Sequence, residues 1–189
     1  YWSNGVTNIV MAFDCMGRRV VKNDLRFVYD GYLQIANFEL KTPNSKLQTF
    51  VWDPTEPVAT RPLVWQHGNS VLYYTHDGNK NVSEVISDEG DVSAHYEYAP
   101  FGALTKVMGE CAFCNPWRFS SEFTDDSLQL VYYNYRHYDL LSGRWLSRDP
   151  IEDIAGQHSY IFESNRLIDM LDPLGLWALN LNYSWGPTS

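Results

Sequence analysis

The 189-residue chain carries 23 acidic against 14 basic side chains, for a formal net charge of −9. That balance argues against nucleic acid or an anionic membrane surface as a partner, and no apolar run approaches the roughly 18 residues of a membrane span. Aromatic side chains make up 15% of the residues, with 13 Tyr and 7 Trp, which favours strands over helices.

The first residues, Tyr1-Trp2-Ser3-Asn4-Gly5, offer neither an initiator Met nor a basic region followed by an apolar one. They do not read as a signal peptide, and the chain is expected to start in mid-protein. Three cysteines, Cys15, Cys111 and Cys114, make an odd count that argues against a disulfide framework. Cys111-Ala112-Phe113-Cys114 has the spacing of half a zinc site. Zinc requires two further ligands and no second pair exists, so neither metal nor cofactor is expected.

In chain order, Met11 to Val21 reads as an apolar-aromatic stretch, a turn from Asp14 to Gly17, and a return strand. Phe27 to Ala36 repeats the plan around Asp30-Gly31, where glycine supplies the positive φ of a tight hairpin. Leu47 to Asp53 is a further strand, and the Pro-rich run from Asp53 to Pro62 is a connection no helix tolerates. Val71 to Val82 forms the next hairpin, its turn at Asp77-Gly78-Asn79. Glu84 to Asp91 turns back, and Ala94 to Tyr98 leads into the turn Ala99-Pro100-Phe101-Gly102. Apolar and polar residues alternate throughout, as half-buried strands require. Hairpins recurring every roughly 15 to 25 residues signal a repeat array whose units bury their faces against their neighbours.

From Gly109 to Pro116 the pattern loosens, and Trp117 to Phe123 opens a second segment. A short helical turn is expected only within Ser159 to Met170, and Trp177 to Tyr183 reads as a strand. His67, His76, His95, His137 and His158 lie apart with no partnered Ser or Cys, and give no catalytic triad.

Tyr132 to Leu176 is the most specific stretch. It contains Tyr135-Arg136-His137-Tyr138-Asp139, then Gly143-Arg144-Trp145-Leu146-Ser147-Arg148-Asp149-Pro150-Ile151, Asn165, and finally Asp172-Pro173-Leu174-Gly175-Leu176. The two Asp-Pro steps stand 172 − 149 = 23 residues apart. These residues and spacings resemble the C-terminal core of RHS/YD-repeat proteins, and a weaker resemblance to the preceding YD repeats extends back to about Met11. One departure is Glu152, which stands where the family has Gly.

The resemblance implies a mainly β fold: an antiparallel hairpin strip from a shell-like spiral, ending in a core segment that plugs it. Residues 1–110 would be the YD-repeat-like hairpins, 111–176 the RHS-associated core, and 177–189 a short tail. It also implies an aspartyl autoprotease that cuts its own chain once. Asp149 and Asp172 would be the paired carboxylates, Arg136 the nearby positive group, and Leu176–Trp177 the scissile bond. Two carboxylates within about 3 Å share a proton, so that one activates water while the other hydrogen-bonds the carbonyl under attack. A neighbouring guanidinium would keep one of them ionised and oriented. Without the resemblance, both Asp residues read as turn caps, with Arg136 a structural partner of Asp139 or of a tyrosine hydroxyl. Glu152 restricts the backbone beside Asp149 and adds a third acid.

The partners so implied are the rest of the chain's own shell and an encapsulated C-terminal polypeptide, with edge-to-edge self-association of an isolated strip. The implied location is secreted or cell-surface. Only 189 − 176 = 13 residues follow the expected cut, too few for a folded toxin, so a truncated, degenerate or trimmed copy is expected. The alternative is a non-catalytic structural or adhesive YD-repeat module.

Overall fold

The computed structural model describes residues 8–41, 47–55, 61–148, 160, 162, 170–171, 174–176 and 179–180. Ten strands follow one another in a single antiparallel meander, each hydrogen-bonded to its sequence neighbours. They are β1 (Met11–Phe13), β2 (Arg19–Lys22), β3 (Leu25–Asp30), β4 (Leu33–Glu39), β5 (Gln48–Trp52), β6 (Pro62–His67), β7 (Ser70–His76), β8 (Val82–Ser87), β9 (Val92–Tyr98) and β10 (Leu104–Met108). A second sheet of four strands comprises β11 (Phe123–Asp125), β12 (Leu130–Tyr133), β13 (Arg136–Asp139) and β14 (Arg144–Trp145). β15 (Met170–Leu171) pairs with β16 (Leu179–Asn180). The fold is therefore mainly antiparallel β, as the composition and turn pattern lead one to expect. Among the described residues, helix is confined to 3-10 turns such as Phe119–Ser121. The helical turn expected within Ser159–Met170 falls mostly outside the described residues, as does most of the strand expected at Trp177–Tyr183.

Two kinds of turn build the meander. At 14–18, 77–81, 87–91 and 99–103 the first residue's N–H donates to the fifth residue's carbonyl. The fourth residue's N–H donates back to the first, with N···O distances of 2.8–3.2 Å across the set. The fourth position has positive φ in every copy: Gly17 (78°), Lys80 (63°), Gly90 (92°) and Gly102 (85°). This is the three-residue loop with a bulge, whose left-handed position glycine occupies without steric cost. Two-residue turns start at Asn23, Gly31 and Gly68, also at positive φ.

Register places one apolar row on the buried face. Phe50 faces Trp65, Trp65 faces Leu72, Tyr74 faces Val85, and Val85 faces Ala94. The core is completed by the chain after β10, which supplies Ala112, Trp117, Phe123 and Tyr132. Trp117 sets its ring edge-on to Phe50 and Trp52, and Phe123 does the same to Phe27. Residues 111–133 are thus the cover of the meander, and burying one such aromatic contributes roughly 1.5–3 kcal/mol. On the opposite face Val51, Val64, Tyr73, Ile86 and Val92 stand in register across five strands, with Val51, Tyr73 and Val92 exposed.

Candidate functional site

The four-stranded sheet builds an aromatic box. Tyr133, Tyr138, Trp145 and Phe162 are buried against one another with ring centroids 4.2–6.3 Å apart. Arg136 opens β13 at the edge of this box. Its guanidinium lies 4.0 Å from the centroid of the Trp145 ring, a cation–π geometry in a site that is nearly dry. Trp145 is fixed in turn by its backbone N–H, which donates to Tyr160 O at 3.1 Å.

The other side of Arg136 meets the segment Leu174–Leu176. The Arg136 Nε–H donates to the Gly175 carbonyl, and the Tyr135 N–H donates to Leu174 O at 3.2 Å. Gly175 has φ +72°, and a Cβ there would lie 3.1 Å from Tyr133 Cβ and 3.3 Å from the Arg136 backbone nitrogen. Glycine is the residue this crossing accepts. Arg136 is therefore hydrogen-bonded one peptide before the Leu176–Trp177 bond, and Leu176 is half-buried. Asp149, Asp172, Trp177 and Glu152 lie outside the described residues. Trp145 and Gly175 extend the expected set; their signal was their place within the matched motifs.

A second polar centre has no sequence motif. The Arg19 guanidinium donates to Asp125 Oδ2 at 2.9 Å, with both side chains fully buried, and Lys22 Nζ reaches Asp125 Oδ1 at 2.5 Å. The other face of Arg19 is caged by Phe27, Phe123 and Tyr132, whose ring centroids lie 4.4–4.9 Å away. Burial pushes the Asp125 carboxyl upward, but hydrogen bonding and charge from Lys22, with Ser127 and Arg19, hold it below the usual range. His137 packs beside Tyr132, and burial lowers its pKa to about 4.

A groove of 420 Å³ lies between the 77–81 and 99–103 turns, lined in part by Asp77, Asn81, His95, Glu97 and Ser120. Asp77-Gly78-Asn79-Lys80-Asn81 has the alternating oxygen pattern of a cation loop. Its oxygens are engaged otherwise: Asp77 Oδ1 accepts from the Asn79 and Asn81 N–H groups, Asp77 Oδ2 from Asn81 Nδ2, and Asn81 Oδ1 from the Ser120 N–H. These bonds fasten a turn. Among the described residues no group of three or more His, Cys, Asp or Glu side chains converges as a metal site, and no helix is long and apolar enough to cross a membrane.

In sequence the chain is similar to several toxin components. The chain is 25% identical, over 97% of its own length, to double-stranded DNA deaminase toxin A of Burkholderia cenocepacia, and covers 14% of that protein. It is 31% identical over 64% of its length to toxin subunit YenC2 of Yersinia entomophaga, covering 13% of it. In fold it resembles the crystal structure of TcdB2-TccC3, with a TM-score of 0.72 at 20% identity over 93% of this chain and 10% of that one. No family model matches the chain. The chain thus spans about a tenth to a seventh of the length of these proteins.

Proposed function

We propose that this chain is the closing segment of a toxin-subunit shell that severs its own backbone after Leu176. The meander serves as wall and residues 111–176 as the closure. The rest of the shell continues from the strip's edges, and the polypeptide beyond the cut is the enclosed partner, released outside the producing cell. The observation that carries the reading is the Arg136 Nε–H bond to the Gly175 carbonyl, which sets a buried cation one peptide from the expected scissile bond. Similarity to toxin subunits supports the shell role independently of the cut.

In the mechanism so implied, Asp149 and Asp172 share one proton. The ionised partner takes a proton from water as it attacks the Leu176 carbonyl carbon; the protonated partner hydrogen-bonds the carbonyl oxygen. Collapse of the adduct expels the Trp177 amine with a proton from the pair. Arg136 contributes by holding the Gly175 carbonyl, so that the bond following it is presented in one orientation.

The intact mass of the purified 189-residue chain tests this. The expected result is a chain ending at Leu176 and a peptide beginning at Trp177, both lost in Asp149→Asn and Asp172→Asn. An uncleaved parent, together with uncleaved Glu152→Gly, overturns the protease reading and leaves a non-catalytic shell or adhesive module.

A further inference from the structure

Where β10 ends, the chain must turn from the meander's edge onto its buried face, and residues 109–117 make that turn. Gly109 starts it at φ +98°, with Ser93 O only 2.3 Å from where a Cβ would lie. The backbone is then fastened at successive points. The Cys111 N–H donates to Ser93 O at 3.0 Å, and the Cys114 and Asn115 N–H groups both donate to Cys111 O, at 3.1 and 3.0 Å. Tyr96 Oη–H donates to Ala112 O at 2.7 Å. Asn115 is fully buried: its side chain accepts from Tyr74 Oη at 2.9 Å and donates to Trp117 O at 2.6 Å. Cys111 and Cys114 are thus carried on a backbone fixed at both ends. The turn closed by the Cys114 N–H on Cys111 O sets the two cysteines three positions apart on one tight loop, close enough for their side chains to be joined. Cys114 is exposed and Cys111 half-buried, while Cys15 lies in the 14–18 turn at the other end of the strip's sequence.

We propose that Cys111 and Cys114 are a dithiol modification site that closes to an intrachain disulfide, locking the turn that seats the cover on the meander. The oxidant is a disulfide, either of low molecular weight or on a thiol-exchange protein. Exposed Cys114 loses its proton to solvent and attacks one oxidant sulfur, expelling the other as a thiolate. Cys111 then loses its proton and attacks Cys114 Sγ, breaking the mixed bond and releasing the second thiolate. Two electrons pass to the oxidant and two protons to solvent. Burial, with Cys114 and Glu110 nearby, raises the Cys111 pKa, so the pair suits a structural lock better than a catalytic dithiol. A metal would need two more ligands, and the described residues bring none to this turn.

The test uses the full 189-residue chain, reduced and then equilibrated with reduced and oxidised glutathione at varied ratio. Alkylation and peptide mass mapping follow. The expected product is a peptide about 2 Da lighter, containing linked Cys111 and Cys114, with Cys15 alkylated in the same sample. Cys111→Ser should instead accumulate a glutathione adduct on Cys114, because the resolving thiol is gone. The oxidised parent should melt above the reduced parent, with no such shift in Cys111→Ser or Cys114→Ser. Separate glutathione adducts on both cysteines of the parent, or bonds linking Cys15 to either, would overturn the proposal. Linkage that leaves the melting temperature unchanged would retain the bond but overturn its locking role.

Discussion

Arg19 and Asp125, 125 − 19 = 106 residues apart in sequence, form an ion pair at 2.9 Å with no solvent exposure on either side chain. It is the point where the meander's second strand and the cover's first strand are joined. Removing one partner of such a pair leaves a buried charge uncompensated. Asp125→Ala should destabilise the chain by about 3–5 kcal/mol in urea unfolding, since Arg19, Lys22, Ser127 and the Leu128 N–H all lose an acceptor. Combining Arg19→Met with Asp125→Leu should recover most of that loss. Equal destabilisation by the single and double variants would show that shape, not charge, holds the two strands.

Glycine in the repeated turn separates two costs. At Gly90 a Cβ meets nothing within 4 Å, so Gly90→Ala should lose only the left-handed backbone preference, about 1 kcal/mol. At Gly102 the same Cβ would lie 2.5 Å from the Phe119 ring and 2.7 Å from Leu140 Cδ2. Gly102→Ala should cost about 3 kcal/mol or more, with strain added to overpacking. Thermal melts of the two variants check this: near-equal losses would mean that Phe119 moves aside freely.

Acid should act in two steps. His137 and His76 are held neutral, each with a pKa lowered to about 4, chiefly by burial. A folded-state pKa below the unfolded value of about 6.5 means that the unfolded chain takes up the proton first. The stability concerned is complete above pH 6.5 and is lost as pH falls from about 6.5 toward 4. His137→Phe should flatten that part of the curve by roughly 2 kcal/mol, because a neutral ring replaces a titrating one. Asp125, held below its usual range, contributes above pH 4 and is lost only at lower pH, so the two windows are separable. An unchanged profile between pH 7 and 5 in His137→Phe would contradict the assignment.

If the chain cuts itself, Arg136 should matter through geometry as well as charge. Arg136→Lys keeps a cation but loses the Nε donor to Gly175 and the planar stack on Trp145. Cleavage should slow by about 10- to 100-fold, the worth of one charge-assisted hydrogen bond. Gly175→Ala should slow it through the contact with Tyr133 and the positive φ. A time course by mass spectrometry reads the rate and circular dichroism reads folding. A loss of cleavage that tracks loss of fold would make Arg136 purely structural.

The hairpins were legible because Asp, Gly and Asn punctuate alternating apolar runs at Asp14–Gly17, Asp30-Gly31 and Asp77–Asn79. The cover was less so. Nothing local marks Arg19 and Asp125 as inward-facing, since alternation alone assigns charged residues to solvent and the partner is 106 positions away. Lys80 was hidden too: it takes the left-handed position that glycine takes in the other three copies, held there by Ser121 Oγ–H donating to its carbonyl at 2.6 Å. Of the expected site, the motifs name Arg136 as the cation beside Asp149 and Asp172, which lie outside the described residues; its contact with the Gly175 carbonyl is a finding of the structure alone. Its stacking on Trp145 follows from the β13–β14 pairing, which brings Tyr138 opposite Trp145, and no spacing in the motif reveals it.

The neighbour-to-neighbour order of the ten-stranded sheet sets the sequence of events during synthesis. Each strand's partner is the one just made, so pairing keeps pace with emergence and long loop closures are not required. The cover is different, because Trp117 and Phe123 must return to rings at Phe27, Phe50 and Trp52 that formed long before. Until residue 133 is made, the growing ribbon carries a row of uncovered aromatic side chains. Pulse-labelled chains halted before residue 111 should therefore bind hydrophobic dyes and chaperones strongly, and chains halted well after residue 133 should not.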